Sequence, residues 1–209
     1  MAKSLNELDF ETIADELGAK IAFKGKAYEN LPEDFKNIFL PAGGPNQTLQ
    51  PKPGTTLTLQ DKDEDDLKNG LYTFFRMPNN EGNFYIKEGQ DKNGQLQRQM
   101  VFLIGSEKDI DSMVNTIRAL GLQNSAAVNG QSLHALPEHL QAYAMKQFKA
   151  HGIEVKGYDQ DAKKKHSVLA ELASTALTAA DSLTPTQPSQ EKAGISPFQM
   201  KPNMDPTQK

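Results

Sequence analysis

The sequence predicts an α/β or α+β fold, a small mixed sheet with helices packed on it, and three observations carry that prediction. The stretch from Gln99 to Asp159 reads without interruption as strand, capped helix, short strand, helix and strand. Two aromatic runs just before it, Leu71–Phe75 and Phe84–Ile86, are divided by the turn cluster Pro78–Gly82 and read as a hairpin. Near the N-terminus a fainter helix–strand–helix pattern occurs, so helical and extended segments alternate rather than segregate.

In chain order, Phe10, Ile13, Ala14 and Leu17 recur at helical spacing and Gly18 ends that helix. Ile21-Ala22-Phe23 is a strand leading to Gly25, and a second helix runs from Pro32 and stops before Pro41. Pro41 to Lys68, with prolines and glycines at first and then the acidic run from Asp61 to Asp66, is expected to be a long loop or weak hairpin. After the aromatic hairpin, Met100 to Ile104 is short and continuously apolar, as in a strand buried on both faces, and with the hairpin it forms an antiparallel extension. Ser106 caps the next helix, with Asp109 three residues on completing an acidic variant of the capping box. Ile110, Met113, Val114, Ile117 and Leu120 mark its buried face, and Gly121 its end. Ser125 to Val128 is a strand ending at the Asn129-Gly130 turn signal, and Pro137 suits the first turn of a helix buried through Leu140, Tyr143, Ala144 and Phe148. Gly152 ends that helix and Ile153-Glu154-Val155 alternates as a last strand before Gly157.

The segment from Thr12 to Glu33 mirrors that from Thr116 to Glu138, so residues 5–40 and 107–151 form two similar helix–strand–helix units. Ancestral duplication and chance similarity both account for the match. The expected organisation is one α/β domain over residues 1–161, a C-terminal helix over 162–183 with Leu169, Leu172, Ala176 and Leu183 on one face, and a disordered tail over 184–209. That tail is rich in Pro, Gln, Ser and Lys and holds too few apolar residues to offset the entropy of ordering.

The 209 residues, 37% hydrophobic, suffice for one domain with a real core. A formal charge of -4 argues against a surface built throughout for nucleic acid, while leaving local basic patches open. The absence of cysteine excludes disulfides, thiolate metal sites and a cysteine nucleophile. The N-terminus lacks the apolar core of a signal peptide and no run reaches membrane-spanning length, so no membrane insertion and a cytoplasmic location in the producing cell are expected.

Several constellations invite chemistry. Asp61, Asp63 and Asp65 have the alternating spacing of a calcium loop, but Asp66 stands where glycine is needed and Tyr72 where a bidentate glutamate is needed, so a solvated acidic loop is expected. His134, His139, His151 and His166 match no ligand spacing and read as surface or helix-end residues. Gly43-Gly44 and Gly105-Ser106 lack the lysine or the third glycine of a phosphate loop. Pro185-Thr186-Gln187-Pro188 has polyproline-ligand spacing without a flanking arginine. The strongest functional signal is the concentration of Lys146, Lys149, Lys156, Lys163, Lys164 and Lys165 in an acidic chain, a candidate nucleic-acid-binding surface against which a merely solvated basic face is the plain alternative. No metal and no cofactor is expected.

The strings Val128-Asn129-Gly130 and Gly152-Ile153-Glu154-Val155-Lys156-Gly157-Tyr158 resemble one of the large polyvalent protein-associated domains appended to conjugative relaxases and plasmid primases. The resemblance covers about residues 84–161, under half of the chain. It implies a bacterial accessory α/β module of mobile-element proteins with no catalytic residue to carry over. The expected function is therefore a non-enzymatic accessory or adaptor binding module of a mobile-element or type IV transfer system, acting through protein or nucleic-acid contacts, with the oligomeric state open. The alternative is a bacterial effector translocated by a type IV secretion system, its polar tail the transport signal and its folded part bound to a host protein. A third reading is an enzyme whose site is assembled from residues distant in sequence.

Overall fold

The computed structural model describes residues 3–26, 28–41, 49–63 and 67–158, which belong to a compact unit spanning Met1–Asp159. The expected C-terminal helix over 162–183, the tail over 184–209, and Lys163, Lys164, Lys165 and His166 lie outside the described residues. Along the chain come α1 (Phe10–Leu17), β1 (Lys20–Gly25), α2 (Glu33–Lys36), β2 (Thr56–Asp61), β3 (Lys68–Arg76), β4 (Phe84–Gln90), β5 (Leu96–Leu103), α3 (Glu107–Ala119), β6 (Ala126–Asn129), α4 (Gly130–Ala135), α5 (Glu138–Ala150) and β7 (Val155–Lys156). The result is a mixed α/β fold built on one seven-stranded sheet in the order β1-β3-β4-β5-β2-β6-β7. All neighbouring strands are antiparallel except β6 and β7.

The aromatic hairpin forms as expected, with Phe74 opposite Tyr85 and Phe75 opposite Phe84, and β5 extends it through Phe84 opposite Phe102. Because side chains alternate across a strand, this register sorts the aromatic residues into two layers. One layer, with Phe75, Phe84, Ile86, Met100 and Phe102, packs under α1, α3, α4 and α5 through Ile13, Ile117, Leu133 and Phe148. The other, with Tyr72, Phe74, Tyr85 and Val101, is covered by Leu31, by Phe35 of α2 and by Phe39 and Leu49 beyond it. Both faces of β4 and β5 are thus buried, which accounts for the continuous apolar run at Met100.

Three expectations are corrected. The stretch Pro41 to Lys68 is not simply a loop, because Thr56–Asp61 is an interior strand paired with β5 on one side and β6 on the other. Its Leu57 and Leu59 are fully buried, opposite Phe102 and Met100, so the alternation Thr-Leu-Thr-Leu outweighs the breakers before it and the acidic run behind it. Asn129-Gly130 is not a free turn but the start of α4, where the Asn129 side chain accepts the N–H of Gln131 at 2.9 Å. Glycine is required there because a Cβ at position 130 would lie 2.4 Å from the backbone nitrogen of Tyr158. The helix expected from Pro32 to Pro41 is a single turn, after which Phe39 bridges to Pro51.

The strands of the two similar units, β1 and β6, lie toward opposite ends of the sheet. In the first, α1 and α2 lie on opposite faces, whereas in the second α3 and α5 share one face.

Candidate functional site

Two of the lysines singled out in the sequence sit on α5. Leu140, Ala144 and Phe148 turn inward there, and the helical period therefore turns Lys146 and Lys149, three residues apart, outward together. Both are exposed. Gly152, at φ 69°, ends the helix, and the N–H of Ile153 donates to the Phe148 carbonyl at 2.9 Å, which turns the chain directly into β7. Lys156 is exposed on β7, and its ammonium donates to the Lys62 carbonyl.

A third element meets this flank. Lys62 Nζ lies 2.7 Å from Glu154 Oε2, just beyond the end of β2. The Lys62 ammonium, with a smaller contribution from Lys156, holds the Glu154 carboxyl below its ordinary pKa. Glu154 thereby offsets one positive charge; Lys146 and Lys149 lie together on the outer face of α5, whereas Lys156 is turned to the other face of the sheet, since its neighbour Val155 packs into the layer under α5. Lys62 escaped the sequence reading because its place beside Glu154 depends on β2, and nothing local in the chain marks that pairing.

The other candidates are dispersed by the fold. His134 of α4 stacks on the Tyr158 ring, centroids 4.4 Å apart and planes at 19°. His139 is exposed on the first turn of α5, and His151 is half-buried at its C-terminus, where a positive charge meets the helix dipole favourably. No three metal-ligating side chains converge among the described residues. Asp61 accepts the Ser4 hydroxyl at 2.6 Å and the Leu5 N–H at 3.1 Å, binding the N-terminal segment to the end of β2. Gly43-Gly44 and Asp65 lie outside the described residues.

The start of α3 shows why Gly105-Ser106 is an unpromising anion site. Asp109 Oδ2 accepts the backbone N–H groups of Gly105 at 2.8 Å and Ser106 at 2.9 Å and the Ser106 hydroxyl at 3.1 Å. The chain's own carboxylate fills the nest that a phosphate would need. Two open clefts flank the loop before β4. One, of about 330 Å³, is lined by Pro78, Glu81, Lys108, Asp111 and Asn115, and the other, of about 350 Å³, by Asp34, Phe35, Thr55, Asn80 and Asp109. Their charged groups are committed to one another or to the scaffold: Glu81 to Lys108, Asp34 to Arg76, Asp111 to the Tyr143 hydroxyl, and Asp109 to the backbone.

No described helix is long and apolar enough to cross a membrane. Comparison with known proteins adds no relative: no family model matches the chain, and no curated protein and no solved structure matches it at a significant level.

Proposed function

We propose that this chain is a non-enzymatic binding module, an accessory or adaptor of a mobile-element or type IV transfer system, that contacts nucleic acid through the α5–β7 flank. The observation that carries this reading is the exposure of Lys146 and Lys149 side by side on the outer face of α5, whose other side is packed into the core, with Lys156 exposed on the strand that follows. Point charges held on a rigid scaffold attract phosphates through counterion release, without base recognition. Each phosphate neutralised steepens the salt dependence, so a small number of lysines supports a weak, sequence-tolerant contact. Lys163, Lys164 and Lys165 follow in sequence and add charge to the same reading.

The test is binding of the full chain to short single- and double-stranded DNA across a salt series. Affinity is expected to fall steeply with salt, and Lys146→Glu/Lys149→Glu and Lys163→Ala/Lys164→Ala/Lys165→Ala are each expected to weaken binding about tenfold or more at low salt. An absence of binding at low salt, or binding indifferent to both variants, overturns the nucleic-acid reading.

A further inference from the structure

At the edge of the sheet opposite β7, β1 has a strand neighbour, β3, on one side only. Its outer backbone groups have no strand partner among the described residues, and such a row is a template for another extended chain. The side chains of β1 decide what kind of chain fits.

Lys20 stands opposite Arg76, Ile21 opposite Phe75, Phe23 opposite Phe74 and Lys24 opposite Thr73, so Ala22 is the extra residue of a bulge. Phe75 belongs to the layer under α1, and Phe74 to the layer under α2. Ile21 and Lys24 therefore project on the α1 side, and Lys20 and Phe23 on the α2 side. The position of Lys24 Nζ, 5.3 Å above the Phe10 ring of α1, agrees with this assignment. In an unbulged strand Lys20 and Lys24, four apart, would share a face; the bulge places one on each.

Ile21 is 43% exposed, and both lysines are exposed as well. Neither lysine enters an ion pair among the described residues, and residues 18–28 contain three lysines and no carboxylate in a chain of net charge -4. A second copy pairing edge to edge would bring these lysines together, and like charges on paired strands are destabilising.

We propose that the β1 edge takes up an extended peptide segment with the core pattern acidic, apolar, apolar, acidic. Its two carboxylates meet Lys20 and Lys24 on opposite faces of the sheet, and its apolar pair covers Ile21 and Phe23. The pattern is the same read in either direction, so it serves a parallel or an antiparallel strand. This surface is separate from the α5–β7 flank and extends the proposed function to a protein partner of defined chemistry.

The experiment uses the full chain and a fluorescein-labelled peptide with the core Thr-Glu-Val-Val-Glu-Thr between glycines, with Thr-Lys-Val-Val-Lys-Thr as the control. Anisotropy is expected to show binding of the acidic peptide only, and amide hydrogen exchange is expected to show new protection within residues 20–25. Lys20→Glu/Lys24→Glu should weaken the acidic peptide at least tenfold and admit the lysine peptide, while Lys149→Glu leaves both unchanged. Should the charge reversal perturb the circular dichroism spectrum, Lys20→Gln/Lys24→Gln replaces it, with the acidic peptide still weakened. Equal binding of the two peptides, no binding of either, protection elsewhere in the chain, or affinity indifferent to Lys20 and Lys24 overturns the proposal.

Discussion

Asp109 joins three parts of the chain through one carboxylate. Its Oδ2 closes the first turn of α3 on Gly105 and Ser106, and its Oδ1 reaches the N–H of Gly82 at 2.7 Å, in the loop between β3 and β4. That loop passes so close to α3 that a Cβ at position 82 would lie 2.5 Å from the Ser112 Cβ. Removing the carboxylate leaves three backbone donors without their acceptor, one of them on the buried Gly82. Asp109→Ala is expected to cost about 1–3 kcal/mol, and Asp109→Asn, which keeps one acceptor oxygen, distinctly less. Urea denaturation measures both, and faster amide exchange at Gly82 in the alanine variant would locate the loss. A larger effect of the asparagine than of the alanine variant would contradict this account.

Among the elements, β2 holds the two parts of the sheet together. Its Leu59 lies between Met100 of β5 and Val128 of β6, fully buried. Leu59→Ala is therefore expected to destabilise by about 2–5 kcal/mol, against about 0.5 kcal/mol or less for Lys146→Ala on the exposed side of α5. Matched denaturation curves of the two variants test the contrast. The elements legible in the sequence were those whose signal is continuous and local: the hairpin of β3 and β4, the run at Met100, and α3 between Ser106 and Gly121. β2 was obscured because only four residues alternate cleanly, between a segment containing Pro51 and Pro53 and an acidic run, and both of its strand partners come much later in the chain. The exposure of Lys146 and Lys149 followed from helical period alone, whereas the pairing of Lys62 with Glu154 depended on sheet order and had no local signature.

Taken as a whole, the molecule has two differently loaded faces. The layer under α2 contains two buried phenols, Tyr72 and Tyr85, with ring centroids 5.7 Å apart. Burial pushes the Tyr72 phenol up to about 12, with the Leu49 backbone pulling weakly the other way, and burial raises Tyr85 as well, helped by Tyr72 beside it. Both folded values lie above the ordinary phenol value of about 10, so this contribution to stability is fully present below pH of about 10 and is lost as pH rises through the folded values. In an alkaline titration two of the five tyrosines are expected to ionise only as the far-ultraviolet circular dichroism collapses, and Tyr85→Phe should move that collapse to higher pH. Ionisation of all five ahead of unfolding would refute it. The sheet order also constrains synthesis. β2 leaves the ribosome before either of its neighbours exists, and its second one is complete only at Asn129. During elongation Leu57 and Leu59 therefore sit on an unpaired strand while β3 and β4 are already able to zip as a hairpin, and on a half-paired one from the emergence of β5 until that of β6, making β2 the segment that most needs shielding until the chain catches up.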